Sequence, residues 1–195
     1  MTGKKIITVF GATGQQGGSV VATFLNDARL SGEWSVRAVT RDVNKDSAKR
    51  LAALGAEVVQ ADLSDRHTLD KVVSGAEAVF AVTNYWEAMD AELEVRQGKA
   101  IVDAAKAAGI KLFIWSSLYD VKKLTNGKLP HVYHFDGKAA VEEYIRALGI
   151  PAAFFMPGFY MSNMPGQWLR ADPPENVWTL ALPMPDRAPI PVFDI

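Results

Sequence analysis

Six short apolar runs, each parted from the next by residues at helical spacing, constrain this chain more than any other feature. They are Ile6–Phe10, Ser35–Thr40, Ala56–Val59, Ala78–Val82, Leu112–Trp115 and Ala152–Met156. The runs are continuous and not alternating, as strands are when helices cover both faces of a parallel sheet. Between them, Ala48, Leu51 and Ala52 mark a helix face closed by Gly55. Val141, Tyr144, Ile145 and Leu148 mark another, closed by Gly149. Residues 88–108 read as one Ala-rich helix ending at Gly109, with Leu93, Ala100 and Ala104 turned inward. This alternation predicts an α/β fold, a doubly wound parallel sheet of the Rossmann type.

With 195 residues, 49% of them hydrophobic, the chain can bury one substantial core. It has no cysteine, so disulfides, thiolate metal sites and cysteine nucleophiles are excluded. Three scattered histidines supply no metal set. A net charge of −1 argues against a nucleic-acid or membrane-surface binder, which needs a basic face. The short groups Lys122-Lys123 and Lys45, Lys49, Arg50 read as solvated surface. No apolar run approaches the roughly 18 residues of a bilayer span, and the N-terminal run enters glycines without a cleavage pattern. A soluble, cytoplasmic protein is expected.

The ends differ in composition. Nine of the ten prolines lie in 151–195, a stretch with only six charged residues. This asymmetry divides a Rossmann NAD(P)-binding domain, 1–156, from the start of a smaller substrate or partner lobe, 157–195.

The first run leads into Gly11-Ala12-Thr13-Gly14-Gln15-Gln16-Gly17, and a helix opens behind it. In this G-x-x-G-x-x-G spacing Gly11 turns the backbone off the strand and Gly14 leaves room for a pyrophosphate. Gly17 lets the helix pack closely on the sheet. The helix N-terminus offers N–H groups and partial positive charge to phosphates. The second run ends Val39-Thr40-Arg41-Asp42, with Lys45 beyond, where an NAD site usually places an acid for the ribose 2′-hydroxyl. Arg41 and Lys45 suit a 2′-phosphate, and Asp42 at a ribose is the alternative. The pattern favours NADP(H) over NAD(H). Asp62-Leu63, after the third strand, sits where such folds meet the adenine ring.

With GATGQQGGSV, VTRD, QADLSD, VTNYWE, QGK and HFDGKAAVEEY in this order, the sequence resembles the NmrA-like family. These are atypical short-chain dehydrogenase/reductase relatives that include fungal nitrogen-repression regulators and mammalian redox-sensor homologues. The motifs run from Gly11 to about Asn163. The resemblance implies a Rossmann lobe that binds NADP(H), with a small second lobe. It also implies a redox sensor that acts on a protein partner such as a transcription factor, in the cytoplasm and also the nucleus. By the same resemblance Gly11, Ala12, Thr13, Gly14, Gln15 and Gln16 wrap the pyrophosphate, Arg41 and Lys45 hold the 2′-phosphate, and Asp62 faces the adenine. Thr83, Asn84 and Tyr85 line the ribose and nicotinamide side, with Trp86 as a packing residue behind them. Arg96 is a further cofactor contact, and Phe159, Tyr160 and Met161 close over the nicotinamide.

Members of that family have a longer second lobe. The resemblance therefore implies that 157–195 begins a lobe cut at Pro191–Ile195. Its apolar residues Trp168, Trp178, Leu180, Leu182 and Phe193 are then left exposed or covered by self-association, as in a homodimer.

A typical short-chain dehydrogenase sets Tyr-x-x-x-Lys on one helix face, with a serine from the preceding strand. The tyrosine donates a proton, and the lysine lowers its pKa while binding the nicotinamide ribose. Here Lys138 has His134 four residues before it, and Tyr133 is displaced by about 100° around the helix. Ser116 or Ser117 fits the serine position. Lys138 can still hold the ribose, and His134 can replace the missing acid, since its ordinary pKa lies near neutrality. Tyr119 and His131 are looser candidates. Two functions follow: an NADP(H) sensor without the usual catalytic pair, or an NADPH-dependent reductase of carbonyls or quinones, of the isoflavone-reductase type.

Overall fold

The computed structural model describes residues 3–164, 169–172, 174, 177–180, 182, 185 and 187–195. The chain divides into two compact units, Met1–Met156 and Pro157–Ile195.

The first unit holds β1 (Lys5–Val9), β2 (Trp34–Thr40), β3 (Glu57–Gln60), β4 (Ala78–Ala81), β5 (Leu112–Ser116) and β6 (Ala152–Phe155). All pairings in this sheet are parallel, in the order β3-β2-β1-β4-β5-β6. Each strand overlays one of the six apolar runs to within a residue or two. The helices between them are α1 (Gln15–Asn26), α2 (Ala28–Glu33), α3 (Asp46–Ala53), α4 (Arg66–Val73), α5 (Tyr85–Ala88), α6 (Ala91–Ala107), α7 (Val121–Leu124) and α8 (Tyr133–Leu148).

Both faces of the sheet are buried, which is why its strands read as unbroken apolar runs. Ile7, Val9, Val36, Ala78 and Phe80 pack with Val21 of α1 on one face. Val79, Phe113 and Trp115 pack with Leu69, Ile101, Val141 and Ile145 on the other. Residues 78, 79 and 80 thus alternate between two cores, as the strand period demands. The buried Thr8 hydroxyl is satisfied by donating to the Val72 carbonyl at 3.0 Å. Helices α6 and α8 lie close because Gly98 has no side chain. A β-carbon there would stand 2.6 Å from Val141 Cγ2.

One expectation is corrected. The long helix expected over 88–108 starts at Ala91 and ends at Ala107: Met89 adopts the left-handed conformation, with φ of 51°, and separates it from α5. The cause lies next to it, where the Asp90 carboxylate accepts from the Leu93 amide at 2.9 Å and starts a new helix. The inward face of α6 is Glu94, Gly98, Ile101, Val102, Ala104 and Ala105, while Leu93 and Ala100 are only partly buried. In the segment after β5, Asp120 caps the short α7 through the Lys123 amide at 2.8 Å.

In the second unit β7 (Phe159–Tyr160) pairs in parallel with β10 (Val192–Phe193), and β8 (Leu169–Asp172) pairs antiparallel with β9 (Val177–Leu180). None of its described residues is fully buried. Trp178 is 64% exposed, Leu180 is also exposed, and Leu182 and Phe193 are half-buried. Trp168 lies outside the described residues. Among the described residues no helix is long and apolar enough to cross a membrane.

Candidate functional site

The strand order reverses between β1 and β4, and the crevice beyond their carboxyl ends is where doubly wound sheets bind ligands. The glycine loop opens there. Gly11 has φ of +67°, and a β-carbon on it would lie 2.7 Å from Val82 Cγ1. One on Gly17 would lie 2.3 Å from the Gly11 carbonyl oxygen, so loop and helix meet backbone to backbone. The turn is closed by the Gly14 amide donating to the Gly11 carbonyl at 2.9 Å. Gly14 caps α1 without a side chain, and the first turn of α1 has no acid. Thr13, Gly14 and Gln15 are exposed, Gln16 is half-buried, and Ala12 is fully buried against the sheet. The loop therefore presents backbone and partial positive charge to the crevice, with no carboxylate in that first turn to neutralise it. These residues fit a pyrophosphate.

Arg41 follows β2 and is exposed, its guanidinium paired with the Glu87 carboxylate of α5. The neighbouring Asp42 is turned into its own loop, where its carboxylate accepts from the Asn44 amide at 2.9 Å. Lys45, at the start of α3, is exposed. Asp62 follows β3 and is also exposed, with one carboxylate oxygen accepting from the Ser64 amide at 2.8 Å. Leu63 beside it is half-buried against the core.

Beyond β4 stands a buried polar cluster. The Lys138 ammonium donates to Glu94 Oε1 at 2.5 Å, to the Thr83 carbonyl at 2.9 Å and to Thr83 Oγ1 at 3.2 Å. The Thr83 hydroxyl in turn donates to Glu94 Oε1 at 2.8 Å. Glu94 is 2% exposed and Lys138 9%. An ammonium has three donors, and here each has an acceptor. Sequence reasoning assigned Lys138 to a ribose and gave Glu94 no role. The available signal was an acid on the apolar stripe of α6, one turn before Gly98 and on the side of Ile101. Ser116 and Ser117 are buried next to this cluster's strand, and the Ser116 hydroxyl has no partner among the described residues.

Asn84 is exposed and caps α5 through the Trp86 amide at 3.2 Å. Tyr85 and Trp86 meet edge to face, and the Trp86 ring lies 4.7 Å from the His134 ring. Burial, with the Lys138 charge second, holds the His134 imidazole below its ordinary pKa. Tyr133 is turned toward His131, whose Nδ1 lies 2.7 Å from the phenol oxygen. Tyr119 is exposed.

The crevice residues thus gather at the ends of β1 to β4. Arg96 is placed elsewhere: it pairs with Glu92 at 3.6 Å and lines a groove of about 440 Å³ between α6 and α8, with Val95, Tyr133 and Ala140. Two residues along a helix turn about 200°, so Arg96 and the buried Glu94 face opposite ways. Phe159, Tyr160 and Met161 belong to the second unit, the first two half-buried in β7 and Met161 exposed. Among the described residues no cluster of three metal-binding side chains occurs.

The sequence profile of the NmrA-like family matches residues 3–195. An NmrA-like family domain-containing oxidoreductase, ptmS of Penicillium ochrochloron, is 36% identical over 170 residues, 82% of this chain and 48% of that protein. The chain spans about half the length of the curated relatives it matches. Among solved structures, NmrA, a negative transcriptional regulator, in complex with NADP superposes with a TM-score of 0.80 at 27% identity. That alignment covers 98% of this chain and 58% of NmrA. Its complex with NAD gives 0.82. The Citrobacter sp. triphenylmethane reductase complexed with NADP(H) gives 0.65 at 27% identity, over 82% of this chain and 51% of that one. With the strand order, the glycine cradle and these matches in agreement, the chain belongs to the NmrA-like family.

Proposed function

We propose that this chain binds NADP(H) at the crevice between β1 and β4 and signals its occupancy to a protein partner such as a transcription factor, in the cytoplasm or nucleus. The observation that carries this reading is the glycine cradle, where a β-carbon on Gly17 has no space and α1 begins without an acid. The loop from Gly11 to Gln16 would hold the pyrophosphate through backbone N–H groups. Arg41 and Lys45 would take the 2′-phosphate, and Asp62 and Leu63 border the adenine. Thr83, Asn84 and Tyr85 end the ribose and nicotinamide side. The cofactor supplies hydride chemistry when bound. What favours a sensor is the state of the proton donors: Lys138 is committed to Glu94 and Thr83, and no tyrosine stands four residues before it.

Titration calorimetry tests the binding. NADP⁺ should bind more tightly than NAD⁺, and Arg41→Ala should weaken NADP⁺ about 10- to 100-fold while leaving NAD⁺ nearly unchanged, as befits a lost charge-assisted phosphate contact. Equal affinities in the unaltered chain would remove the reading. An NADPH-dependent reductase of carbonyls or quinones is the second reading, favoured by the reductase and oxidoreductases that this chain resembles. NADPH oxidation over a carbonyl and quinone panel separates the two. Turnover lost in Lys138→Ala, with NADP⁺ binding retained, would favour the enzyme.

A further inference from the structure

We propose that Glu87 is an internal rival of the 2′-phosphate for Arg41, so that NADP(H) releases α5 whereas NAD(H) leaves it latched. The inference rests on the NADP(H) reading of the crevice and adds how the site registers which dinucleotide has entered.

The ion pair joins residues 46 apart in sequence and lies across the ends of β2 and β4. It places a carboxylate on the guanidinium that a 2′-phosphate needs. Helix α5 is four residues long and runs between the Asn84 cap and the left-handed Met89. Trp86 is 61% exposed and Met89 70%. Its two middle residues reach different partners, Glu87 the Arg41 guanidinium and Trp86 the His134 ring. The segment is thus tied by charge to the end of β2 and by rings to the first turn of α8.

The exchange favours the phosphate. A 2′-phosphate carries between one and two charges and matches the planar guanidinium with two parallel hydrogen bonds, whereas Glu87 offers one charge at an exposed position. Exposed ion pairs are weak, so the latch holds α5 without blocking the dinucleotide. A ligand with a ribose 2′-hydroxyl has nothing to offer Arg41 that would displace Glu87.

The test compares the full chain with Glu87→Gln, which removes the rival charge and keeps the shape. Calorimetry with NADP⁺, NAD⁺ and the fragment 2′,5′-ADP reads affinity. Glu87→Gln should tighten NADP⁺ and 2′,5′-ADP by about two- to five-fold, the range of an exposed ion pair, and leave NAD⁺ unchanged. Trp86 emission, isolated by subtracting a Trp86→Phe variant, should change with 2′,5′-ADP and stay constant with 5′-ADP. NADP⁺ affinity that is unaltered or weaker in Glu87→Gln, or NAD⁺ tightened equally, would overturn the latch alone. Should the unaltered chain bind no NADP⁺, or bind it as well in Arg41→Ala, the cofactor reading falls and the latch with it.

Discussion

Gly17 shows how little latitude the loop leaves at single positions. A β-carbon would meet the Gly11 carbonyl oxygen at 2.3 Å, and neither partner is a side chain that could swing aside. Gly17→Ala should therefore cost about 1–3 kcal/mol in a denaturant melt and abolish dinucleotide binding, because α1 must back away from the loop. The Lys138–Glu94 pair is a second such place. Lys138→Met would leave a carboxylate buried without its counter-charge, at about 3–5 kcal/mol, and adding Glu94→Leu should recover much of that loss in the same assay. His134 sets a pH dependence. Its folded pKa lies below the ordinary value of 6.5, so the unfolded chain binds the proton first on acidification. Stability should be fully present above about pH 6.5 and decline below it, and His134→Phe should flatten that slope in thermal melts across pH. The positions of the glycine loop and of Arg41 were legible in the sequence because each directly follows a strand, β1 for the loop and β2 for Arg41. Glu94 was not, since its meaning depends on a lysine 44 residues later.

At the scale of elements, the strands were readable because the inner ones are buried on both faces and leave unbroken apolar runs, and the partly buried edge strands β3 and β6 keep short ones. The helices were readable where a face repeats, as in α3 and α8. Helices α5 and α7, of four residues each, are too short for any repeat to show. The break between α5 and α6 hid for a different reason: the Ala-rich spacing continues on paper while one aspartate restarts the hydrogen-bond pattern. Asp90→Ala should remove that cap at about 1 kcal/mol, read by thermal melt, and reduce the amide protection of Leu93 in hydrogen exchange. Arg96 teaches the same lesson about orientation. Its place in the order of motifs suggested the crevice, yet helical geometry sends it to the groove between α6 and α8.

The whole molecule divides where proline replaces charge. Up to Met156 the residues form a layered core, and beyond it the described residues form two two-stranded sheets with no fully buried member. Two-stranded sheets are on their own marginal in water. Native-state hydrogen exchange should therefore find the amides of β1 and β4 slowest and those of β7 to β10 fast, opening well before global unfolding. The composition made this division visible, but not which apolar residues meet: β7 pairs with β10 across more than thirty residues of sequence. The buried ion pair has one more consequence, for the birth of the protein. Glu94 leaves the ribosome 44 residues ahead of Lys138, and until then its carboxylate can be buried beside Thr83 only at a cost or by taking up a proton. The polar cluster beyond β4 is therefore completed only when α8 has been made.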